Sequence, residues 1–198
     1  PAGTVSVLYY ADRVQQLPLG VIGTAVGTAL LTLLSRQVRA GEAAAATATL
    51  NRAIEYGLFL TLPAAVALVV SAGPVMTVLF GRGAFDPHSA RLSAQALAAY
   101  AIGLPAFVLV KVVAPGFFAR ADMGTPVRIG VAAVALNLIM NIVFNLNFIL
   151  AGFGIMPPTR AAHWLPALAQ IGPALATSLA AMFNLAWLGG ILARRGHL

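Results

Sequence analysis

The stretch VSVLYYADRVQQLPLGVIGTAVGTALLTLL, residues 5–34, carries two charged side chains, the adjacent pair Asp12 and Arg13. As an α-helix rising about 1.5 Å per residue it is long enough to cross a hydrocarbon core of roughly 30 Å. It leaves no charged face to meet water and shows no alternation of period two, so a membrane-spanning helix is predicted and a barrel strand is not. The same apolar character returns at residues 53–80, 92–119, 126–150 and 166–193. The predicted fold class is therefore all-α, a polytopic membrane helix bundle of five transmembrane helices forming a single transmembrane domain over residues 1–198.

Composition extends this reading to the whole chain. Of 198 residues, 60% are hydrophobic and 9% charged, against roughly 25% charged in an ordinary soluble domain. The mean hydropathy is +0.91. Cysteine is absent, which excludes a disulfide framework, a thiolate metal site and a thiol nucleophile. A formal charge of +7 and a pI near 11.1 raise nucleic-acid binding as a class. The basic residues are scattered between apolar segments and form no single stripe, so no nucleic-acid partner is predicted. The chain opens Pro-Ala-Gly with no Met and no signal-like basic region, and it is expected to begin inside a longer protein.

The polar connections fix an expected orientation. They read SRQVRAGE (35–42), GRGAFDPHSAR (81–91), RADMGTPVR (120–128) and GIMPPTRAAHW (154–164). With alternating spans, one side receives Arg36, Arg39, Arg52, Arg120, Arg128, Arg194 and Arg195, and the other Arg82, Arg91 and Arg160. The basic-rich side is predicted to be cytoplasmic. The first span then runs inward and the chain ends in the cytoplasm. Residues 43–52 read either as a helix lying along the cytoplasmic surface or as a helical end protruding into water. Pro18, Gly20, Gly23, Gly27, Pro63, Gly73, Pro74, Gly103, Pro105, Pro115 and Gly116 punctuate the first three spans, which predicts bent, closely packed helices.

A few polar residues inside these spans are the candidates for function. Arg13 lies about a third of the way along the first span, where a guanidinium facing lipid costs several kcal/mol. It is expected to face an interior or a water-filled cavity. Gln16, Tyr9 and Tyr10 share more of its face than the adjacent Asp12 does. A guanidinium among tyrosine hydroxyls and an amide suits a phosphate, whereas snorkelling to headgroups is the plainer reading. Lys111, in the third span, either binds substrate or snorkels to the cytoplasmic interface. Asn137, Asn141 and Asn145 form a stripe with a period of four. They read as interhelical hydrogen bonding or as a cation site of amide oxygens, with Thr177, Ser178 and Asn184 as partners across from them. Glu55 is read as an acid at a helix N-terminus.

Catalysis finds no constellation. His88, His163 and His197 fall in connections or the tail without metal spacing, and no acid–base pair of carboxylates lies within a span. There is no Walker-type nucleotide loop. The chain reads as not an enzyme, with no cofactor.

Three ordered motifs carry a family likeness. YYADRVQQLPLGVIGTAVGTALLTLLSR (9–36), LFGRGAFD (79–86) and KVVAPGFFARADMGTPVRI (111–129) resemble stretches of the MurJ (MviN) family. These are bacterial lipid II flippases of the multidrug/oligosaccharidyl-lipid/polysaccharide exporter superfamily. The resemblance covers about 120 residues; beyond residue 155 only the hydropathy matches. It implies two six-helix lobes around a central cavity, with this chain supplying helices eight to twelve, most of the C-terminal lobe. It further implies movement of the undecaprenyl-pyrophosphate-linked precursor, lipid II, from the inner to the outer leaflet of the bacterial cytoplasmic (inner) membrane. Alternating access would do this without ATP, drawing on membrane potential or a coupling ion. Arg13 would be a cavity arginine holding the pyrophosphate. Substrate contacts are accordingly assigned to Arg13, Asp12, Gln16 and Lys111, and an ion or polar network to Asn137, Asn141 and Thr177. The implied partners are lipid II, membrane lipids and a coupling ion. The first lobe and helix seven lie outside this chain, so alone it would not be a working flippase. The alternatives are a related exporter of drugs or of another polyprenyl-linked saccharide, and a membrane scaffold that does not transport.

Overall fold

The computed structural model describes residues 4–80, 87–152 and 165–198, and their side chains except at 4, 5, 87, 145–152 and 165–170. All regular structure among the described residues is helical. The helices are α1 (Thr4–Pro18), α2 (Ala25–Arg39), α3 (Ala43–Phe80), α4 (Pro87–Phe118), α5 (Gly124–Gly152) and α6 (Leu165–Arg194), with a π-helical turn over Leu19–Thr24 joining α1 to α2. Together α1, the π turn and α2 make one span, so five helices have the length and apolarity to cross a membrane.

The π turn follows directly on Pro18. Proline has no N–H to continue the helical ladder, and inside hydrocarbon a local π adjustment re-satisfies the carbonyls it frees. By contrast α3 runs on as helix through Pro63 and Pro74, and α4 through Pro105 and Pro115. The irregularity of the bundle is thus concentrated in its first span.

The second span begins ten residues earlier than its apolar run, at Ala43. Residues 43–52 extend α3 itself, in continuity with the transmembrane part, and do not form a separate surface helix. Glu55 therefore lies three turns inside α3 and not at its N-terminus, and the helix-end reading of this acid is corrected.

α4 is the hub, packed against α1, α2, α3 and α6, while α5 packs mainly on α6. Small residues on α4 allow close approach, which is how membrane helices gain packing without a hydrophobic driving force. Two core clusters result. One gathers Leu30, Leu34, Leu50, Val108, Val112, Phe117, Leu188 and Leu192. The other gathers Val7, Ala11, Val14, Ala72, Met76, Leu97, Tyr100 and Ala174 at the opposite end of the bundle.

Three helix ends close in one way. After α2, α4 and α6 the chain turns through a left-handed residue, Gly41 at φ 77°, Ala121 at φ 58° and Gly196 at φ 67°. The next N–H then reaches back into the last turn, Glu42 to the Gln37 carbonyl at 3.0 Å, Asp122 to Phe117 at 3.1 Å and His197 to Leu192 at 3.0 Å. These bonds satisfy carbonyls a helix end leaves open.

Candidate functional site

Among the described residues the exposed Arg13 is held by Tyr9. Its guanidinium carbon sits 5.0 Å from the centroid of the Tyr9 ring, one turn back on α1. The contact is with the ring face, whereas the sequence pointed to tyrosine hydroxyls. Tyr9 in turn meets Tyr10 edge to face, with centroids 5.7 Å apart and planes at 75°. Tyr10 packs at 4.6 Å on Phe80, the last residue of α3.

Asp12 and Gln16 pair with each other, the Gln16 amide donating to Asp12 Oδ2. Their spacing of four places them on one face. Gln16 is therefore engaged with the acid and not with the arginine. Among the described residues the one ion pair is Asp122–Arg195, so neither Arg13 nor Lys111 is neutralised by a carboxylate there.

Lys111 occupies a different station. A Cβ at Gly27 would lie 2.9 Å from the Lys111 carbonyl oxygen, and one at Gly23 3.0 Å from Lys111 Cδ. The two glycines thus let α4 approach the first span, and the lysine stem lies along the π turn with the residue exposed. Gly23 is ten residues beyond Arg13, about 15 Å along a helix axis. The two cations line one span's path without converging.

The asparagine stripe forms a hydrogen-bonded chain between α5 and α6. Asn137 Nδ2 donates to Thr177 Oγ1 at 3.2 Å, and Thr177 donates to the Pro173 carbonyl at 2.8 Å. Asn141 Nδ2 donates to Asn137 Oδ1 at 3.0 Å. Asn145 falls outside the described side chains. Ser178, grouped with this stripe on sequence, instead donates to the Ala99 carbonyl of α4 at 2.8 Å. The side-chain amide oxygen of Asn184 is buried with no partner among the described residues.

Two features escaped the sequence reading. Six exposed residues, Gln16, Gly20, Thr24, Thr28, Thr32 and Arg36, recur every fourth position along the first span. Thr28 and Thr32 donate to carbonyls one turn back, at 2.9 Å and 3.3 Å. Their spacing was the available signal. The second is a clasp where the turn after α4 meets the end of α6. Arg195 donates to Asp122 Oδ2 at 2.6 Å, and Thr125 donates to the same carboxylate through its hydroxyl at 2.7 Å and its backbone N–H at 3.0 Å. The Arg195 hydrogen bond, and then those of Thr125, lower the Asp122 pKa to about 2. His197 is also pushed below its ordinary value, first by burial and then by Arg120 and Arg195. The Asp-x-x-Thr spacing of a helix cap was legible here; its arginine partner, 73 residues away, was not.

With this geometry in hand, comparison with known proteins is specific. The family model described as lipid II flippase MurJ matches residues 1–198. The probable lipid II flippase MurJ of Rhizobium tropici is 42% identical over 196 residues, covering 99% of this chain and 33% of that protein. Its counterpart from Rhizobium meliloti (strain 1021) is 48% identical over 166 residues, covering 84% and 31%. A solved structure of lipid II flippase MurJ in an inward closed conformation superposes with a TM-score of 0.72 at 25% identity, over 96% of this chain and 36% of that one. The chain spans about a third of the length of the curated relatives it matches. Its five apolar helices make it a multi-pass membrane segment, and it belongs to the MurJ lipid II flippase family, a family of transporters and not of enzymes.

Proposed function

We propose that this chain is most of the C-terminal lobe of a lipid II flippase of the bacterial inner membrane. The whole protein carries the precursor from the inner to the outer leaflet by alternating access, without ATP hydrolysis, for cell-wall synthesis. The carrying observation is Arg13, a guanidinium exposed on a membrane-spanning helix and held by a ring face in place of a carboxylate. A guanidinium held by a ring quadrupole keeps its N–H donors for oxygen acceptors, and their fork matches the oxygens of a pyrophosphate. Lys111 of α4, whose stem lies against Gly23 of the first span, supplies a second cation, and Asp12 with Gln16 flanks the first. The orientation that fits is the one with Arg36, Arg39 and Arg195 in the cytoplasm.

A coupling ion belongs to the α5–α6 network in this reading. Asn137, Asn141, Thr177 and the Pro173 carbonyl present neutral oxygens, a donor set for a hard monovalent cation. In that state the Asn137 and Asn141 amides turn their oxygens inward, and the hydrogen bonds now linking them give way to the ion.

The test is translocation of cell-wall precursor in cells whose sole full-length copy carries Arg13→Ala. Flipping is expected to fall at least about tenfold at normal protein levels, as loss of a charge-assisted contact implies. Arg13→Lys, which keeps charge and loses the fork, falls between. Near-normal flipping by Arg13→Ala would mean that the arginine only anchors the helix at the interface.

A further inference from the structure

We propose that Tyr9 is a positioning residue that fixes the Arg13 guanidinium for its anionic ligand; this rests on the Arg13 reading above. An arginine side chain free on a helix surface samples many rotamers, and ordering it on ligand binding costs conformational entropy. Here the guanidinium lies over the Tyr9 ring at 5.0 Å, within range for attraction to the ring quadrupole.

The ring is itself braced. Tyr10 meets its edge, and Phe80 holds Tyr10 from the end of α3. Tyr10 and Phe80 both pack against the buried cluster of Val7, Met76 and Leu97. The path from core to guanidinium is therefore aromatic throughout. Its chemistry matters because a ring attracts the cation through its quadrupole and offers no oxygen to the guanidinium N–H groups. A carboxylate would consume those same donors. The neighbouring carboxylate, Asp12, is occupied by the Gln16 amide. The arrangement holds a cation in place while keeping its donors available to phosphate oxygens.

The experiment measures binding of lipid II to the purified full-length protein in nanodiscs of neutral phosphatidylcholine. Five variants are compared with wild type: Tyr9→Leu, Tyr9→Phe, Tyr9→Trp, Arg13→Ala and Tyr9→Leu with Arg13→Ala. Tyr9→Leu should weaken binding about two- to fivefold, the range of an exposed cation–π contact. Tyr9→Phe, which keeps the ring and loses the hydroxyl, should stay within about twofold of wild type. In the Arg13→Ala background the Leu substitution should add nothing, since its effect runs through the arginine. Tyr9→Trp, whose face attracts cations best, should hold or tighten binding and guards against a Leu variant that merely folds poorly.

Wild-type affinity for Tyr9→Leu, with Arg13→Ala impaired, overturns the positioning role and leaves the arginine's own role standing. Additive losses in the double variant also overturn it, because Tyr9 would then touch the ligand directly. Wild-type affinity for Arg13→Ala removes both readings. Equal affinity of the wild type for phosphatidylglycerol would make the ligand any anionic headgroup and would sink the pyrophosphate assignment.

Discussion

The first span and the α5–α6 pair solve the problem of polar groups in a membrane in opposite ways. Asp12, Thr28 and Thr32 find hydrogen bonds within their own span, and that span meets α4 through the close backbone approach at Gly23 and Gly27. α5 and α6 are tied across the interface, by Asn137 to Thr177 in the membrane and by Asp122 to Arg195 at the end. Ser178 extends the ties to α4. Hydrogen bonds between elements have one register, while contact between small residues tolerates sliding and rotation. The contrast is one of interfaces: α4, α5 and α6 are joined by side-chain hydrogen bonds, while the first span meets α4 by shape and is tied by a side-chain hydrogen bond to α3, Gln37 donating to Thr49 at 3.1 Å.

The hardest way to break the contrast is to fill the glycine contact. Gly27→Ala places a Cβ 2.9 Å from the Lys111 backbone oxygen, which has no side-chain freedom to yield. We expect a loss of about 1–3 kcal/mol, the usual range for overpacking, read as a lowered thermal midpoint of the full-length protein. Gly20→Ala, where a Cβ meets nothing within 4 Å, is the control and should stay within about 0.5 kcal/mol. Equal effects at the two positions would show that the first span is not held by shape.

Next in size is the interhelical network. Replacing Asn137 and Asn141 together with Leu should cost roughly 0.6–1.7 kcal/mol. It should also abolish any thermal stabilisation by added monovalent cation. Ile139→Leu and Val143→Leu, at exposed positions of α5, should do neither. If the two pairs of variants behave alike, α5 and α6 are joined by packing only and the contrast with the first span disappears.

The smallest effect sharpens the comparison at the clasp. The Asp122 pKa is lowered from 3.8 to about 2. A depressed carboxylate contributes stability above its unfolded pKa and loses it as pH falls through the folded one. The thermal midpoint of Asp122→Asn should therefore lie below wild type at neutral pH, with the gap closing between about pH 4 and pH 2. A gap that is constant with pH would assign the loss to packing at Thr125 and not to the ion pair.

How much of this the sequence carried depends on the range of the cause. The five spans were legible because burial in hydrocarbon demands about 20 apolar residues wherever a helix crosses. The Asn137–Asn141 pairing and its reach to Thr177 were legible from a spacing of four and matching chemistry. What was hidden had two sources. Proline chemistry marked Pro18, Pro63, Pro74, Pro105 and Pro115 alike, and no local signal distinguished Pro18, the one that a π turn follows. Asp12, Arg13 and Gln16 were legible as a group, but the partners within it were not, because i, i+3 and i, i+4 neighbours compete and the ring face of Tyr9 competes with its hydroxyl.

The π turn has a geometric consequence for the column Gln16, Gly20, Thr24, Thr28, Thr32 and Arg36. In an α-helix of about 3.6 residues per turn a step of four overshoots by about 40°, so between Gln16 and Arg36 the column would wind through about 200°. A π turn acts as one residue inserted into the ladder and takes back about 100°. The remaining sweep of about 100° is the width of a single helix face. Leu19–Thr24 is therefore a phase corrector that lets Arg13 and Arg36 address the same side of the span. Were these residues to relax into α geometry, α2 would swing by about 100° relative to α1, and Thr28 and Thr32 would turn away from the side on which Gln16 stands.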